Sequence, residues 1–206
     1  MKTPLYNLYA FIIAISLCYG ASTPYFGEVS KLEGDVTLYR KLRPTPIQIE
    51  KDLLHRDRIK TDTNSMVLIG VYDGTELTVS PKTKMTLTRK DIKKHKNINL
   101  QLLSGTIRCK VKTLGQKESF VIKTPSAVVG VRGTDFITSY SMEDGLEVTV
   151  LEGKVEITAL KEIQGKVRKQ TIQLNDQIRM NDNFEFIEKR KLTPNDRLNI
   201  EKNYKF

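Results

Sequence analysis

The residue types from which catalytic centres are usually built are few in this chain of 206 residues, which has two histidines and two cysteines. His55 lies in Asp52-Leu-Leu-His-Arg-Asp57 and His95 in Lys93-Lys-His-Lys96. Neither has a histidine or cysteine companion two or four positions away, so no zinc motif forms and both read as ordinary turn or surface histidines. Asp73 and Glu76 are spaced as an acid–base pair, but Asp73-Gly74 is accounted for as a hairpin turn and Glu76 as the polar side of a strand. No glycine-rich phosphate loop, nucleophile elbow or calcium loop occurs. The reading is no catalytic residue, no metal and no cofactor; an unrecognised hydrolase built without histidine stands as a third alternative.

Charge offers a second chemistry. The formal net charge is +10, and Lys82, Lys84, Arg89, Lys90, Lys93, Lys94 and Lys96 crowd one stretch, with Lys189, Arg190 and Lys191 near the end. Such a run suits an anionic partner, either a phosphate-bearing envelope polymer or a membrane surface, and its attraction would fall with salt. Nucleic acid is disfavoured, because the basic runs carry no interleaved aromatics on which bases could stack.

The first residues set the compartment. Lys2 precedes the largely apolar Ala10-Phe-Ile-Ile-Ala-Ile-Ser-Leu-Cys18, followed by Gly20, Ala21 and Ser22, the order of an export signal with cleavage expected after Gly20. Nine such residues fall short of the roughly 20 that span a bilayer. Cys18 is an alternative site of lipid attachment, although the bulky Leu17 before it suits that poorly. Either way Cys109 is left without an intramolecular disulfide partner, and an exported location, periplasm or cell envelope, is expected.

The elements that must position any site read as strands. Composition, at 39% hydrophobic and 28% charged, is that of a folded protein. Residues 67–72, 76–80, 84–88, 97–103, 119–123, 146–151 and 154–158 carry strand-type residues, most with an apolar and a polar side, between turn signals such as Asp73-Gly74, Asp144-Gly145 and Glu152-Gly153. In Thr106-Ile-Arg-Cys-Lys-Val-Lys112 the same alternation places the Cys109 thiol on the inner face. Helical signals are weak: the charged run Arg89 to Lys96, and Thr193-Pro194 as a cap ahead of a C-terminal piece.

An internal echo points to a repeat. Leu32-Glu-Gly-Asp-Val36 matches Leu151-Glu-Gly-Lys-Val155, with a fainter copy at Leu103-Ser-Gly-Thr-Ile107. Asp57-Arg-Ile-Lys60 and Asp176-Gln-Ile-Arg179 follow Gly34 and Gly153 at the same interval of 23 residues. Repeated strand–turn–strand units bury a continuous core that one unit cannot. The expected fold class is all-β: a solenoid-like or coiled stack of short strands with a short helical or irregular C-terminal tail.

One stretch, Thr124-Pro-Ser-Ala-Val-Val-Gly-Val-Arg-Gly-Thr-Asp-Phe136, breaks the pattern. Pro125 ends a strand, and Ala127 to Val131 reads as a strand enclosed on both faces, with Gly130 admitting another backbone. Gly133 permits a positive φ, Thr134 bonds turn amides, Asp135 faces Arg132, and alternation resumes at Phe136.

This stretch resembles the signature of the FecR-domain family. Arg56 to Leu87 resembles that domain's first half, with Arg56 where the family commonly has glycine, and Val150 to Val155 resembles its closing strand. The resemblance implies a β-rich extracytoplasmic module that binds protein partners without catalysis, and a structural role for Thr124, Pro125, Gly130, Val131, Arg132, Gly133, Thr134, Asp135 and Phe136. The expected division is a signal peptide over 1–20, a FecR-like domain over 27–158 with its core at 53–158, and an extension over 159–206 that completes the stack and ends in a polar tail. With an export signal at the start, no cytoplasmic sigma-factor-binding segment is expected, and the partner sought is another envelope protein. A basic structural protein held on anionic polymer or membrane is the alternative.

Overall fold

The computed structural model describes residues 24–92, 95–113, 115, 118–163 and 165–204, with only the backbone given for 90–92, 95–96 and 163. The signal region, Cys18, Lys93 and Lys94 lie outside the described residues, as do the side chains of Lys90, His95 and Lys96.

Seventeen strands and one helix occur among the described residues. In chain order they are β1 (Tyr25–Glu33), β2 (Val36–Arg40), β3 (Arg43–Pro46), β4 (Asp52–Leu54), β5 (Arg58–Thr61), β6 (Met66–Val71), β7 (Glu76–Val79), β8 (Lys84–Ile92) and β9 (His95–Val111). There follow β10 (Ser119–Lys123), β11 (Ala127–Val131), β12 (Thr134–Ser141), β13 (Gly145–Glu152), β14 (Lys154–Ile163), β15 (Lys166–Gln173), β16 (Asp176–Met180), β17 (Phe186–Lys191) and the helix α1 (Pro194–Asn203). The run Arg89 to Lys96, expected as a weak helix, instead extends the hairpin of β8 and β9, with Asp91 opposite Lys96 and Ile92 opposite His95.

The chain winds between two layers. Layer A runs β4-β1-β6-β7-β9-β12-β13-β16-β17, antiparallel throughout. Layer B runs β3-β2-β5-β8-β9-β10-β11-β14-β15, antiparallel except for the parallel pair β9–β10. The long β9 belongs to both: residues up to Ser104 pair within layer B, and those from Gly105 within layer A. The result is an open, coiled two-layer stack. Period-two alternation fills the space between the layers with side chains such as Phe26, Leu38, Ile59, Leu77, Leu100, Cys109, Phe120 and Phe136, all at most 1% exposed.

The sequence echo is a structural one. Gly34 and Gly153, at φ 69° and 82°, turn the chain from layer A into layer B at matching corners. Asp57 and Asp176 then repeat one device. Each follows a residue with positive φ, Arg56 at 70° and Asn175 at 65°. Each accepts a hydrogen bond through Oδ2 from the backbone N–H three residues earlier, Leu54 at 2.8 Å and Gln173 at 3.0 Å. Both carboxylates are buried, and burial is tolerable only because each is paired: Asp57 with Arg40, Asp176 with Lys189 and Lys191.

The two layers differ on their outer surfaces. Helix α1 starts at a capping box in which Thr193 Oγ1 accepts from the Asp196 N–H and Asp196 Oδ2 accepts from the Thr193 N–H. Arg197 ties the helix to Asn175 Oδ1 at 2.7 Å, and Tyr204 at its end hydrogen-bonds Ser80. The helix therefore crosses the outer side of layer A, where outward-facing Thr78, Ile137, Thr149 and Leu151 are buried. No described element crosses the outer side of layer B.

Candidate functional site

Thr124 organises the turn between β10 and β11 around Pro125. Its hydroxyl accepts from the Ala127 N–H at 3.0 Å, while its own N–H donates to the Ala127 carbonyl at 2.9 Å. Strand β11 is covered on one side only, a difference from the double enclosure expected of its apolar run: Ala127 and Val129 are buried and Val131 packs against the same core, while Val128 and Gly130 are half-exposed on the outer side of layer B. A Cβ at Gly130 would meet nothing nearer than the Glu156 carbonyl oxygen at 4.0 Å, so no backbone approaches it closely.

The corner after β11 is tighter. Arg132 is exposed, and Gly133, at φ 68°, sits against Thr113, where any side chain would be both strained and crowded. Thr134 Oγ1 donates to the Lys154 carbonyl at 3.2 Å, joining this corner to the matching one at Gly153. Phe136 packs edge-on against Phe120, 6.4 Å between ring centres.

Asp135 corrects one expectation. Its carboxylate does not turn to Arg132 but receives both arms of Arg108, Nε to Oδ1 at 2.9 Å and NH2 to Oδ2 at 2.7 Å. The two side chains are only 11% and 16% exposed, and that hydrogen bond raises the Arg108 pKa against the opposing pull of burial. The pair lies 27 positions apart in sequence and is brought together by the β9–β12 register, with Glu201 and Tyr204 of the C-terminal segment nearby. A shallow groove beside it is lined by Glu76, Lys110, Lys112 and Glu152, with charges of both signs. Asp73 stays in the turn it forms, its Oδ1 accepting from the Thr75 N–H at 2.9 Å.

His55 and Cys109 are engaged in structural roles. His55 Nδ1 accepts from the Arg89 N–H at 3.1 Å, and burial together with the Arg56 charge lowers its pKa, which favours the neutral ring. Cys109 is buried, and burial pushes its thiol well above the usual range, the opposite of what a nucleophile needs. Among the described residues no cluster of histidine, cysteine and carboxylate side chains forms a metal set.

The members of the expected cationic run whose side chains are described, Lys82, Lys84 and Arg89, are dispersed. Lys84 points to the outer side of layer B, whereas Arg89 has opposite parity on β8 and lays its guanidinium 3.6 Å from the centre of the Tyr72 ring, with NH1 donating to the Tyr25 carbonyl at 2.5 Å. Lys82 occupies the preceding turn at φ 56°. A different assembly takes shape on layer B: Tyr39, Arg58, Lys60, Lys84, Thr86 and Leu103 line one groove, with the Arg58 guanidinium 5.6 Å from the Tyr39 ring and Leu103 53% exposed. Sequence reasoning missed this groove because its residues come from strands that become neighbours only through pairing, although Tyr39, Lys60 and Lys84 all occupy polar-side positions of their strands.

The edges of layer B are guarded. Strand β3 carries Pro44 and Pro46, which cannot donate to an added strand, and β15 carries Lys166, Arg168 and Lys169.

Two comparisons match this architecture, while no curated protein matches the chain. Two crystal structures of an anti-sigma factor candidate from Parabacteroides distasonis superpose with a TM-score of 0.52 at 22% identity. The alignment covers 65% of this chain and 59% of that one, so the chain spans less than two thirds of its structural neighbour and shares its fold. The family model described as FecR protein matches residues 57–156, from the first buried aspartate through the Thr124–Phe136 corner to β14. Residues 57–156 of this chain are therefore a FecR domain.

Proposed function

We propose that this is an exported FecR protein of the cell envelope that works without catalysis, as a signalling or assembly module binding a partner protein. The observation that carries the reading is the asymmetry of the two layers. The outer side of layer A is crossed by α1, whereas layer B offers an open groove with an aromatic ring, an exposed leucine and the cations Arg58, Lys60 and Lys84. Aromatic, arginine and apolar groups set together are what protein interfaces use as anchors. The groove suits a partner segment with carboxylates around an apolar side chain. The likeness to an anti-sigma factor candidate supports a regulatory setting, and the structural engagement of His55 and Cys109 supports a non-catalytic one.

Photo-crosslinking side chains placed at Thr86 and Leu103, with exposed Leu198 of α1 as the control, test this in intact cells. One recurrent protein, captured from the first two positions and retained in high salt, is the expected result. Equal capture from Leu198, or diffuse capture that vanishes with salt, would sink it.

A further inference from the structure

The hairpin of β2 and β3 closes through Lys41 and Leu42, both in the left-handed region at φ 48° and 67°. Two successive positive φ values call for glycine, asparagine or aspartate, because a Cβ there is crowded. Instead the tip carries a lysine and a leucine, and Leu42 stands 78% exposed. Arg56, at φ 70°, places a third long side chain on such a backbone at the same end of the molecule. Backbone strain accepted for particular side chains is a mark of their use.

The surroundings are cationic. The two shallow grooves that meet at this hairpin are lined by Arg40, Lys41, Arg43, Lys51, Arg56 and Arg58, and by a single carboxylate, Asp57, which Arg40 already occupies. Pro24, the first described residue, lines the same surface as Leu42, so the chain arrives here from the segment that holds the apolar run Ala10 to Cys18. Cys18 and Pro24 are six positions apart, a stretch that reaches at most about 20 Å when extended. Lipid on Cys18, the alternative to cleavage after Gly20, would hold this end of the domain against the headgroups.

We propose that the hairpin end, with Leu42 set among Lys41, Arg43, Lys51 and Arg56, docks on the surface of an anionic phospholipid bilayer, with Leu42 dipping below the headgroups. The charge complements such a surface, and a lone projecting leucine gains from leaving water there. This site lies beside the groove of layer B but uses other residues, so a protein on the layer and a membrane at the hairpin are compatible.

The test is flotation of the full chain with vesicles of phosphatidylcholine, alone or mixed with phosphatidylglycerol. Binding is expected to require the anionic lipid, to fall with salt, and to weaken by roughly fivefold for each cation removed. Arg56→Gly and Leu42→Gly separate docking from folding, since glycine suits both backbones: each variant should keep or raise the melting temperature while lowering the vesicle-bound fraction. A fluorophore sensitive to polarity, attached at Leu42→Cys, should shift to the blue on anionic vesicles. Equal flotation of parent and variants, binding indifferent to lipid charge, or no spectral shift would overturn the proposal. Equal flotation would assign all membrane affinity to the apolar run.

Discussion

Asp57 and Asp176 perform the same backbone task with different counter-charges. Asp57 is gripped by the planar fork of Arg40, at 2.9 and 2.6 Å, from a strand inside layer B. Asp176 faces two ammonium groups on the edge strand β17, Lys191 at 2.8 Å and Lys189 at 3.6 Å, whose side chains are 64% and 49% exposed. Arginine fixes direction as well as charge, whereas lysine supplies a mobile point charge. The difference tracks position in the stack: the inner copy locks two strands in register, and the outer copy holds an edge that water also reaches.

The sharpest break in this comparison is Asp57→Ala, expected to cost about 3–5 kcal/mol, because it leaves Arg40 unpaired and the Leu54 N–H without its acceptor. Urea denaturation reads this directly, and a loss below about 1 kcal/mol would mean that the Arg40 fork is not a structural tie. Asp176→Ala is expected to cost less, about 1–3 kcal/mol, mainly through the lost bond from Gln173, since the two lysines can turn to solvent.

The pH dependence sharpens the second site. Burial pushes the Asp176 carboxyl up, but Lys191, the Gln173 N–H and Lys189 outweigh it and hold the pKa below the ordinary 3.8. Its folded value is depressed, so the stability it lends is complete above the unfolded value and disappears as the pH falls through the folded one. Lys191→Met should move the Asp176 titration upward in a carboxyl-detected NMR series, and an unmoved midpoint would remove Lys191 from the account. The smallest expected effect is on stability at neutral pH: Lys189→Met alone should change it by no more than about 1 kcal/mol, as for other exposed pairs. A larger loss would show that the outer copy is as tightly locked as the inner one.

How much of this was legible in the sequence follows from how local each signal is. Strands with one buried side announce themselves by alternation, and the paired turns by a shared interval, because both are written within short stretches. The corner residue Gly133 could be placed for the same reason, whereas Thr134, expected to bond turn amides, donates instead to the Lys154 carbonyl on another strand. The Arg108–Asp135 fork could not, since only the register between β9 and β12 makes the two neighbours. The charged run after Arg89 lacked alternation because the hairpin extends beyond Leu87, the last buried side chain among the described ones of β8. The run Ala127 to Val131 suggested enclosure on both sides, yet its outward side chain, Val128, shares a sheet surface with Thr158 opposite it and is only half covered. The hairpin tip escaped notice because Lys41-Leu42 has none of the residues that mark such a turn.

The strand shared by both layers has a mechanical meaning. At Gly105, with φ 99°, β9 changes layers where a side chain would collide with Thr83, and it keeps a bonded neighbour on each flank both before and after the crossing, β8 and β10, then β7 and β12. A load applied to either layer passes into this common spine, so neither can slide over or peel from the other while β9 holds.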